Sequence, residues 1–257
     1  MRIDPQIAAA ALFGFLLALA RVGTALTFLP IPGYQGLSNV ARIVLSIGIT
    51  ICLFPYWPRT LAAGTNPASV ARAVLAEASL GLVLGLAIAF LAETFQLAAQ
   101  FISMQTGFSF ATTIDPTSQA DTGVFQVLSQ LASGFLFFAF GIHHQLIRMI
   151  ALSFSSMHAQ PAAFSPTSFA AIAHFGALMM TTAFRLAMPA VALLLLTDVC
   201  LSVLSRIQAQ VQVLHLAFPA KISLSLFFMS VILARWPAVY ESLARTLLEQ
   251  VSRLLIP

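Results

Sequence analysis

The residues whose types and spacing point to chemistry lie in a polar stretch, Glu93–Thr122, between two strongly apolar regions of the chain. Non-helical backbone at membrane depth is stable only where it is buried in protein or lines a wet cavity. We therefore predict that this stretch exposes backbone for a functional reason. The residues assigned to this candidate site are Gly107, Phe108, Ser109, Phe110, Ala111, Thr112, Asp115 and Pro116.

The chemistry predicted for this site is the sealing of a conduit. Gly107 is suited to cap the C-terminal end of a helix, and Pro116 biases Asp115 away from helical backbone. Phe108 and Phe110 would then fill a pore, since aromatic rings can block a conduit without forming bonds to a flexible substrate. The alternative is an ordinary surface loop, and the residues alone leave both interpretations open.

Patterns for catalysis or metal binding are not found in the sequence. His143 and His144 are adjacent, so on a helix they point about 100° apart and cannot bind one metal ion together. His158, His174 and His215 add no ligand spacing. A G-x-S-x-G motif, a P-loop and a Cys/His dyad are also missing. We expect a protein without enzymatic activity, bound metal or cofactor.

Composition is typical of an integral membrane protein. Of the 257 residues, 60% are hydrophobic and 8% are charged, whereas soluble domains carry roughly 25% charged residues. The net charge of +4 comes from singly scattered bases, without the basic stripe that nucleic-acid binding requires. Membrane lipid is the partner that this composition favours.

The two cysteines, Cys52 and Cys200, lie in separate apolar runs. We therefore predict that both are small buried residues and that they form no disulfide.

The elements that must position these residues are predicted to be helices. A helix that crosses the bilayer needs about 20 mostly apolar residues. The candidates are Ile7–Leu29, Ala41–Trp57, Val70–Leu91, Val124–Ile150, Phe169–Leu196 and Val213–Ala234. An amphipathic helix, Trp236–Leu255, follows them. We predict a multi-pass, all-α integral membrane protein of about six long apolar helices or helical hairpins, with an uncleaved first membrane helix.

Several of these segments carry a charge or a proline midway, namely Arg21, Glu77, Arg185, Pro189 and Lys221. An intramembrane charge costs roughly 2.5–3.5 kcal/mol on insertion scales, so each should face protein or water. Pro219 removes a backbone donor close to Lys221, and we predict that Lys221 reaches a carboxylate or freed carbonyl groups at a subunit boundary. Together these interruptions favour helices packed in a protein assembly.

Glu77 begins a pattern with two glycines four residues apart, Gly81 and Gly85, which lets another backbone approach one helix face closely. One interpretation is helix packing within the chain. The other is an interface with another subunit, in which Glu77 meets an Arg or Lys of the partner.

Several short motifs, taken in order, resemble the FliR family, the R component of the flagellar type III export gate, whose virulence-system counterpart is SctT. The likeness runs through nearly the whole chain, and its strongest match is Ser109–Thr112 with Asp115-Pro116. The other matching residues are Ala20–Gly23 with Pro30, Gly33 and Arg42; Glu77, Gly81 and Gly85; Gln96–Gln100 and Gln105–Gly107; His143; Leu194–Thr197; Arg206; and Phe218-Pro219-x-Lys221.

The sequence departs from the family pattern at two positions. Ala209 stands where the family has proline, which should loosen the connector between the last two long helices. Asp198 stands where asparagine is usual, and we predict an extra charge at a helix end that meets a neighbouring subunit.

The resemblance implies that the protein joins P and Q components (FliP-like and FliQ-like) in a helical, cone-like core of the flagellar basal body, in the bacterial inner membrane. Residues 1–168 would be P-like, and residues 169–257 a Q-like helix pair. B and A components (FlhB-like and FlhA-like) are further implied partners. The implied function is the passage of unfolded export substrates, and helical hairpins lifted out of the bilayer would explain the uneven spans.

The resemblance also implies roles for residues of this sequence. Gly107–Pro116 would form the plug of the gate, and subunit packing would involve Glu77, Gly81, Gly85, Arg206, Phe218, Pro219 and Lys221. The alternatives are a virulence-system counterpart, a scaffold with no part in gating, and a polytopic solute permease. A permease of that kind would carry an inverted repeat and a polar midplane site, and we find neither in the sequence.

Overall fold

The computed structural model describes residues 5–29, 38–57, 67–107, 123–156, 166–207 and 213–255. Within these ranges the chain is helical, with no strands. The helices are α1 (Pro5–Thr27), α2 (Asn39–Cys52), α3 (Pro67–Thr106), α4 (Val124–Ala139), α5 (Ile142–Ser156), α6 (Pro166–Ile207) and α7 (Val213–Leu255). A short 3-10 turn, Phe54–Tyr56, follows α2.

The predicted all-α membrane class is confirmed. Among the described residues, four helices are long and apolar enough to cross a membrane. Their candidate spans are Ala10–Thr27, Pro67–Thr106, Phe169–Ile207 and Ala217–Arg253. The pair α4 and α5, which bends by 63° at its break, could supply a fifth.

The polar stretch that we expected to expose backbone is helical in its first half. α3 continues without a break through Glu93–Thr106. Glutamine and alanine, which recur here, are good helix formers. The polar side chains also find partners within the helix: the hydroxyl of Thr106 donates to the carbonyl oxygen of Ile102 at 2.7 Å. Polarity alone therefore did not mark the end of this helix.

Two other predicted spans have different lengths in the structure. α2 has 14 residues and is therefore about 21 Å long, which is too short to cross a hydrocarbon core of about 30 Å. The sixth span and the amphipathic helix are one element, α7, which runs through Pro219 and Pro237.

The predicted fourth span is interrupted at Gly141, so that it forms α4 and α5. Gly141 has a φ of 65°, a left-handed conformation that is accessible to glycine without strain. Its N–H donates to the carbonyl oxygen of Phe138 at 3.0 Å, and its own carbonyl oxygen accepts from the N–H of His144 at 3.0 Å. The glycine thus ends one helix and begins the next.

The described chain falls into two compact units, neither of them continuous in sequence. The first unit comprises Met1–Phe90, Phe137–Gly176 and Leu243–Pro257, and the second comprises Leu91–Leu136 and Ala177–Ser242. In the second unit, Phe95 of α3 packs against Trp236 and Tyr240 of α7, with ring centroids 5.1 and 5.3 Å apart.

The amphipathic character predicted for the C-terminal helix is confirmed in the first unit. Leu243, Leu247 and Val251 are buried along one face, whereas Glu249 and Arg253 are exposed. The apolar face of this helix is therefore buried within the described chain.

The prediction that the two cysteines are buried is wrong. Cys52, at the end of α2, and Cys200, on α6, are both exposed free thiols. Their apolar sequence surroundings indicate an apolar environment, but the described part of this chain does not cover them.

Candidate functional site

A buried charge cluster lies in the first unit, where α1, α3 and α5 meet. Arg21 is fully buried, and its Nε donates to Oε2 of Glu77 at 2.5 Å. Its Nη1 donates to the hydroxyl of Ser153 at 2.8 Å, and the guanidinium lies 4.5 Å from the ring centre of Phe154. We call these four residues the Arg21 cluster. The prediction that Arg21 and Glu77 face protein is confirmed.

The glycines that follow Glu77 allow this cluster to form. A Cβ added at Gly81 would overlap the backbone oxygen of Arg21 and the side chain of Thr24. A Cβ at Gly85 would lie 2.7 Å from the backbone oxygen of Ala25. The face that we assigned to a second subunit is occupied by α1 of the same chain. The structure therefore favours the intrachain alternative for Glu77, Gly81 and Gly85, because both the close approach and the opposite charge come from α1.

A second polar network joins three helices of the second unit. The Gln105 amide of α3 donates to Oδ2 of Asp198 on α6 at 3.0 Å. The Lys221 ammonium of α7 forms an ion pair with Oδ1 of the same carboxylate. The side chain of Asp198 is 38% exposed and that of Lys221 is 17% exposed. We call these three residues the Asp198 bridge.

The Asp198 bridge bears on two sequence predictions. Asp198 was expected at a helix end facing a neighbouring subunit, but it lies within α6 and bonds to its own chain. Lys221 reaches a carboxylate, as predicted, and that carboxylate belongs to the same chain. The location of Lys221 at a subunit boundary stays a prediction. The sequence carried no signal for the pairing, since Gln105 and Asp198 are 93 residues apart.

The Asp198 bridge lies next to the end of α3, where the candidate plug begins. Gly107 has a φ of 93°, and its N–H donates to the carbonyl oxygen of Met104 at 3.3 Å. The predicted glycine cap is therefore confirmed. Gly123, at the start of α4, also lies beside α3, since a Cβ added there would be 3.0 Å from the Ser103 hydroxyl. Gly107 and Gly123, the described residues on either side of the candidate plug, thus both lie at the last turns of α3.

The rest of the predicted plug lies outside the described residues. It comprises Phe108, Ser109, Phe110, Ala111, Thr112, Asp115 and Pro116. Their role as a seal stays a prediction.

The other residues assigned to subunit packing lie on exposed surface of the second unit. Arg206 is exposed in the last turn of α6, and Phe218 and Pro219 are exposed on α7. Large apolar side chains are exposed on the same helices, at Met188, Leu195, Val199, Leu226, Phe227 and Val231. We call these six residues the α6–α7 apolar surface. Arg185 is exposed as well, so any protein around it has to come from outside the described chain.

Metal-ligating side chains do not gather in the described chain. Within it, no group of three or more His, Cys, Asp or Glu residues could hold a metal ion. His143 and His144 lie beside the break between α4 and α5, with ring centroids 3.9 Å apart.

The contacts of Arg21 with Ser153 and Phe154 were not predicted from the sequence. Ser153, one of three serines in α5, follows an apolar run and was the available signal.

Comparison with known proteins identifies the family to which this chain belongs. The model of the family of bacterial export proteins, family 1, matches residues 12–247. The chain is 28% identical over 245 residues to the flagellar biosynthetic protein FliR of Bacillus subtilis (strain 168), covering 94% of each chain. It is 26% identical over 229 residues to FliR of Pectobacterium carotovorum subsp. carotovorum, covering 89% of this chain and 86% of that one.

A third relative, FliR of Escherichia coli (strain K12), is 24% identical over 215 residues, which cover 84% of this chain and 82% of that one. These matches confirm the FliR resemblance that the sequence motifs carried. The family match covers most of the chain, including the Arg21 cluster and the Asp198 bridge. This chain belongs to the bacterial export proteins, family 1.

Proposed function

We propose that this membrane protein, a component of the flagellar export apparatus, forms with P and Q components the channel core that passes unfolded flagellar substrates across the inner membrane. Three of its relatives carry the name flagellar biosynthetic protein FliR, which favours the flagellar over the virulence system. The B and A components are further proposed partners. Residues 1–168 would take the P-like part and residues 169–257 the Q-like part.

The observation that carries the proposal is the arrangement at the end of α3. Gly107 ends the helix, and Gly123 resumes the described chain beside Ser103 of the same helix. The Asp198 bridge fixes the last turn of α3 to α6 and α7 through Gln105. A plug needs a fixed point of attachment, and this braced helix end would supply one at Gly107 and Gly123.

Helix length supports the placement of the protein in a larger assembly. α3, α6 and α7 have 40, 42 and 43 residues. At 1.5 Å per residue each is about 60 Å long, which is twice the thickness of a hydrocarbon core of about 30 Å. Helices of this length extend well beyond one bilayer, as hairpins lifted out of the membrane would.

The α6–α7 apolar surface supports the proposed partners. On α7, the side chains of Leu226, Phe227 and Val231 in this surface are 47–61% exposed. Exposed apolar patches of this kind mark sites of contact with protein or lipid. We propose that P and Q components cover this surface in the assembled gate.

The proposed seal is tested in cells that carry the assembled gate. A channel wide enough for an unfolded chain would leak ions unless something closed it at rest. We expect that deletion of Gly107–Thr112, or the double change Phe108→Ala and Phe110→Ala, makes the membrane permeable to small ions. Ion permeability and export of a reporter substrate would be measured together.

The matched control is the double change Phe135→Ala and Phe138→Ala, since both side chains are exposed on α4 outside the plug. The control gate should stay tight to ions. If the plug variants assemble and stay equally tight, the segment is not the seal, and a scaffold role would be the better explanation.

A further inference from the structure

In helix α2 the polar side chains are buried and the large apolar side chains are exposed, which is the reverse of a surface helix in water. Its polar residues Ser46 and Thr50 are buried. Their hydroxyls need no outside partner, because each donates to a carbonyl oxygen one turn earlier in α2, at 2.9 and 2.7 Å. The helix packs against α1 within the first unit. Its polar side therefore faces protein, and its other side faces the surroundings.

The outer side of α2 is apolar along its whole length. We define the outer face of α2 as Val40, Ile43, Val44, Gly48 and Ile51, which follow the i, i+3, i+4 spacing of one helix face. The four large side chains are between 57% and 69% exposed. Water would not stabilise this arrangement, since apolar surface is favoured away from water. The surroundings of the outer face must themselves be apolar.

The end of α2 carries exposed aromatic residues held in a fixed position. Phe54 and Tyr56, in the 3-10 turn, are 61% and 51% exposed. Trp57 fixes this turn, because its Nε1 donates to the carbonyl oxygen of Thr50 at 2.8 Å and its ring packs on Phe15 and Phe54. Tyrosine and tryptophan are enriched where a membrane meets water, since their rings suit the headgroup level.

Length and side-chain shape favour lipid over a partner helix as the occupant. A helix of about 21 Å cannot cross the hydrocarbon core, but it can lie along its boundary. Helix interfaces within membranes prefer small residues that allow close approach, whereas the outer face of α2 consists of bulky β-branched side chains around a single glycine. The outer face of α2 carries no charged side chain, so its contact with lipid buries no charge.

We propose that α2 and its aromatic turn form an interfacial anchor, in which the outer face of α2 lies parallel to the membrane plane in contact with phospholipid. In an ordinary interfacial helix the polar side faces water. In α2 the polar side packs against protein of the first unit. This inference does not depend on the proposed plug, since it rests on residues of the first unit alone.

The test measures the depth of single nitroxide labels in the full-length protein, purified with its partner components and reconstituted with phosphatidylethanolamine and phosphatidylglycerol. Labels would be placed at Val44→Cys and Ile51→Cys in a Cys52→Ser, Cys200→Ser background. We expect collision with oxygen, which dissolves in lipid, to exceed collision with a water-soluble nickel chelate several-fold at both positions. The two depths should be equal, because the helix lies flat.

Glu249→Cys, an exposed position on α7, is the control for water access. Three outcomes would overturn the proposal. Equal access of the nickel chelate at Val44 and Glu249 would place α2 in water. Exclusion of both reagents would place a protein partner on the outer face. A steady change in depth from Val44 to Ile51 would show a helix inserted across the bilayer.

Discussion

Arg21 is a charge that the interior of this protein can hold only because partners surround it. The Arg21 cluster supplies a carboxylate, a hydroxyl and an aromatic face. Loss of one partner of a buried ion pair typically costs about 3–5 kcal/mol, whereas replacement of both by apolar residues is often neutral. The cluster therefore fixes how α1, α3 and α5 pack together. It can do so even if an apolar replacement of the whole ion pair would leave the protein equally stable.

This property gives the first prediction at the residue scale. Glu77→Leu should lower the free energy of unfolding in mild detergent by about 3–5 kcal/mol, because it leaves the buried Arg21 charge without its counter-ion. The double change Arg21→Met and Glu77→Leu should recover most of the loss. The exposed Glu249→Gln should stay within about 0.5 kcal/mol of the parent. A double variant less stable than Glu77→Leu would contradict this account.

The second residue-scale prediction concerns the Asp198 bridge. Asp198→Leu should make the assembled gate leak ions, because it releases Gln105 and leaves Lys221 without its carboxylate. Asp198→Asn, which keeps a side-chain acceptor, should leak much less. Ion permeability would be measured with export of a reporter substrate. A Leu variant as tight as the parent would show that α3 needs no brace at this point.

At the scale of elements, the glycines of α3 set the distance to α1. Gly81 and Gly85 are one helical turn apart and both meet α1 backbone. This contact brings Glu77 within reach of Arg21, so the packing of α1 on α3 and the ion pair form together. A pattern that is typical of subunit interfaces thus serves packing within one chain.

The prediction at this scale is that Gly81→Leu destabilises the protein itself. The new side chain would overlap the Arg21 backbone and Thr24, and overpacking costs typically about 1–3 kcal/mol. The midpoint of thermal unfolding in detergent, and the amount of protein in the membrane, should both fall. Gly23→Leu is the control, because a Cβ there meets nothing within 4 Å. If Gly81→Leu is as stable as the control and fails only to join the assembly, the glycine face serves another subunit after all.

At the scale of the whole molecule, the chain leaves much of its apolar surface uncovered. The α6–α7 apolar surface and the outer face of α2 are both exposed. We assign the first to partner subunits and the second to lipid. On this proposal, both surfaces are covered only when the protein is in its membrane and joined to its proposed partners.

The prediction for the whole molecule concerns that assembly. Phe227→Gln with Val231→Gln on α7 should abolish co-purification with P-type and Q-type components while membrane levels stay unchanged, because both side chains are exposed in the isolated chain. Glu249→Gln with Arg253→Gln, at exposed positions of the same helix, should leave assembly intact. Normal co-purification of the first variant would mean that this part of α7 faces lipid.

The sequence by itself determined the membrane class, the helical fold, the family and the glycine cap at Gly107. These depend on composition, on local periodicity and on short motifs, all of which are readable along the chain. It misplaced Asp198 and the two cysteines and could not choose the partner of Glu77. Only the tertiary structure decided that Arg21 meets Glu77 and that Asp198 joins Gln105 to Lys221, because those partners lie far apart in sequence and meet only when long helices pack. Hydropathy cannot distinguish protein interior from lipid, and that distinction decides which faces of α2 and α6 are covered.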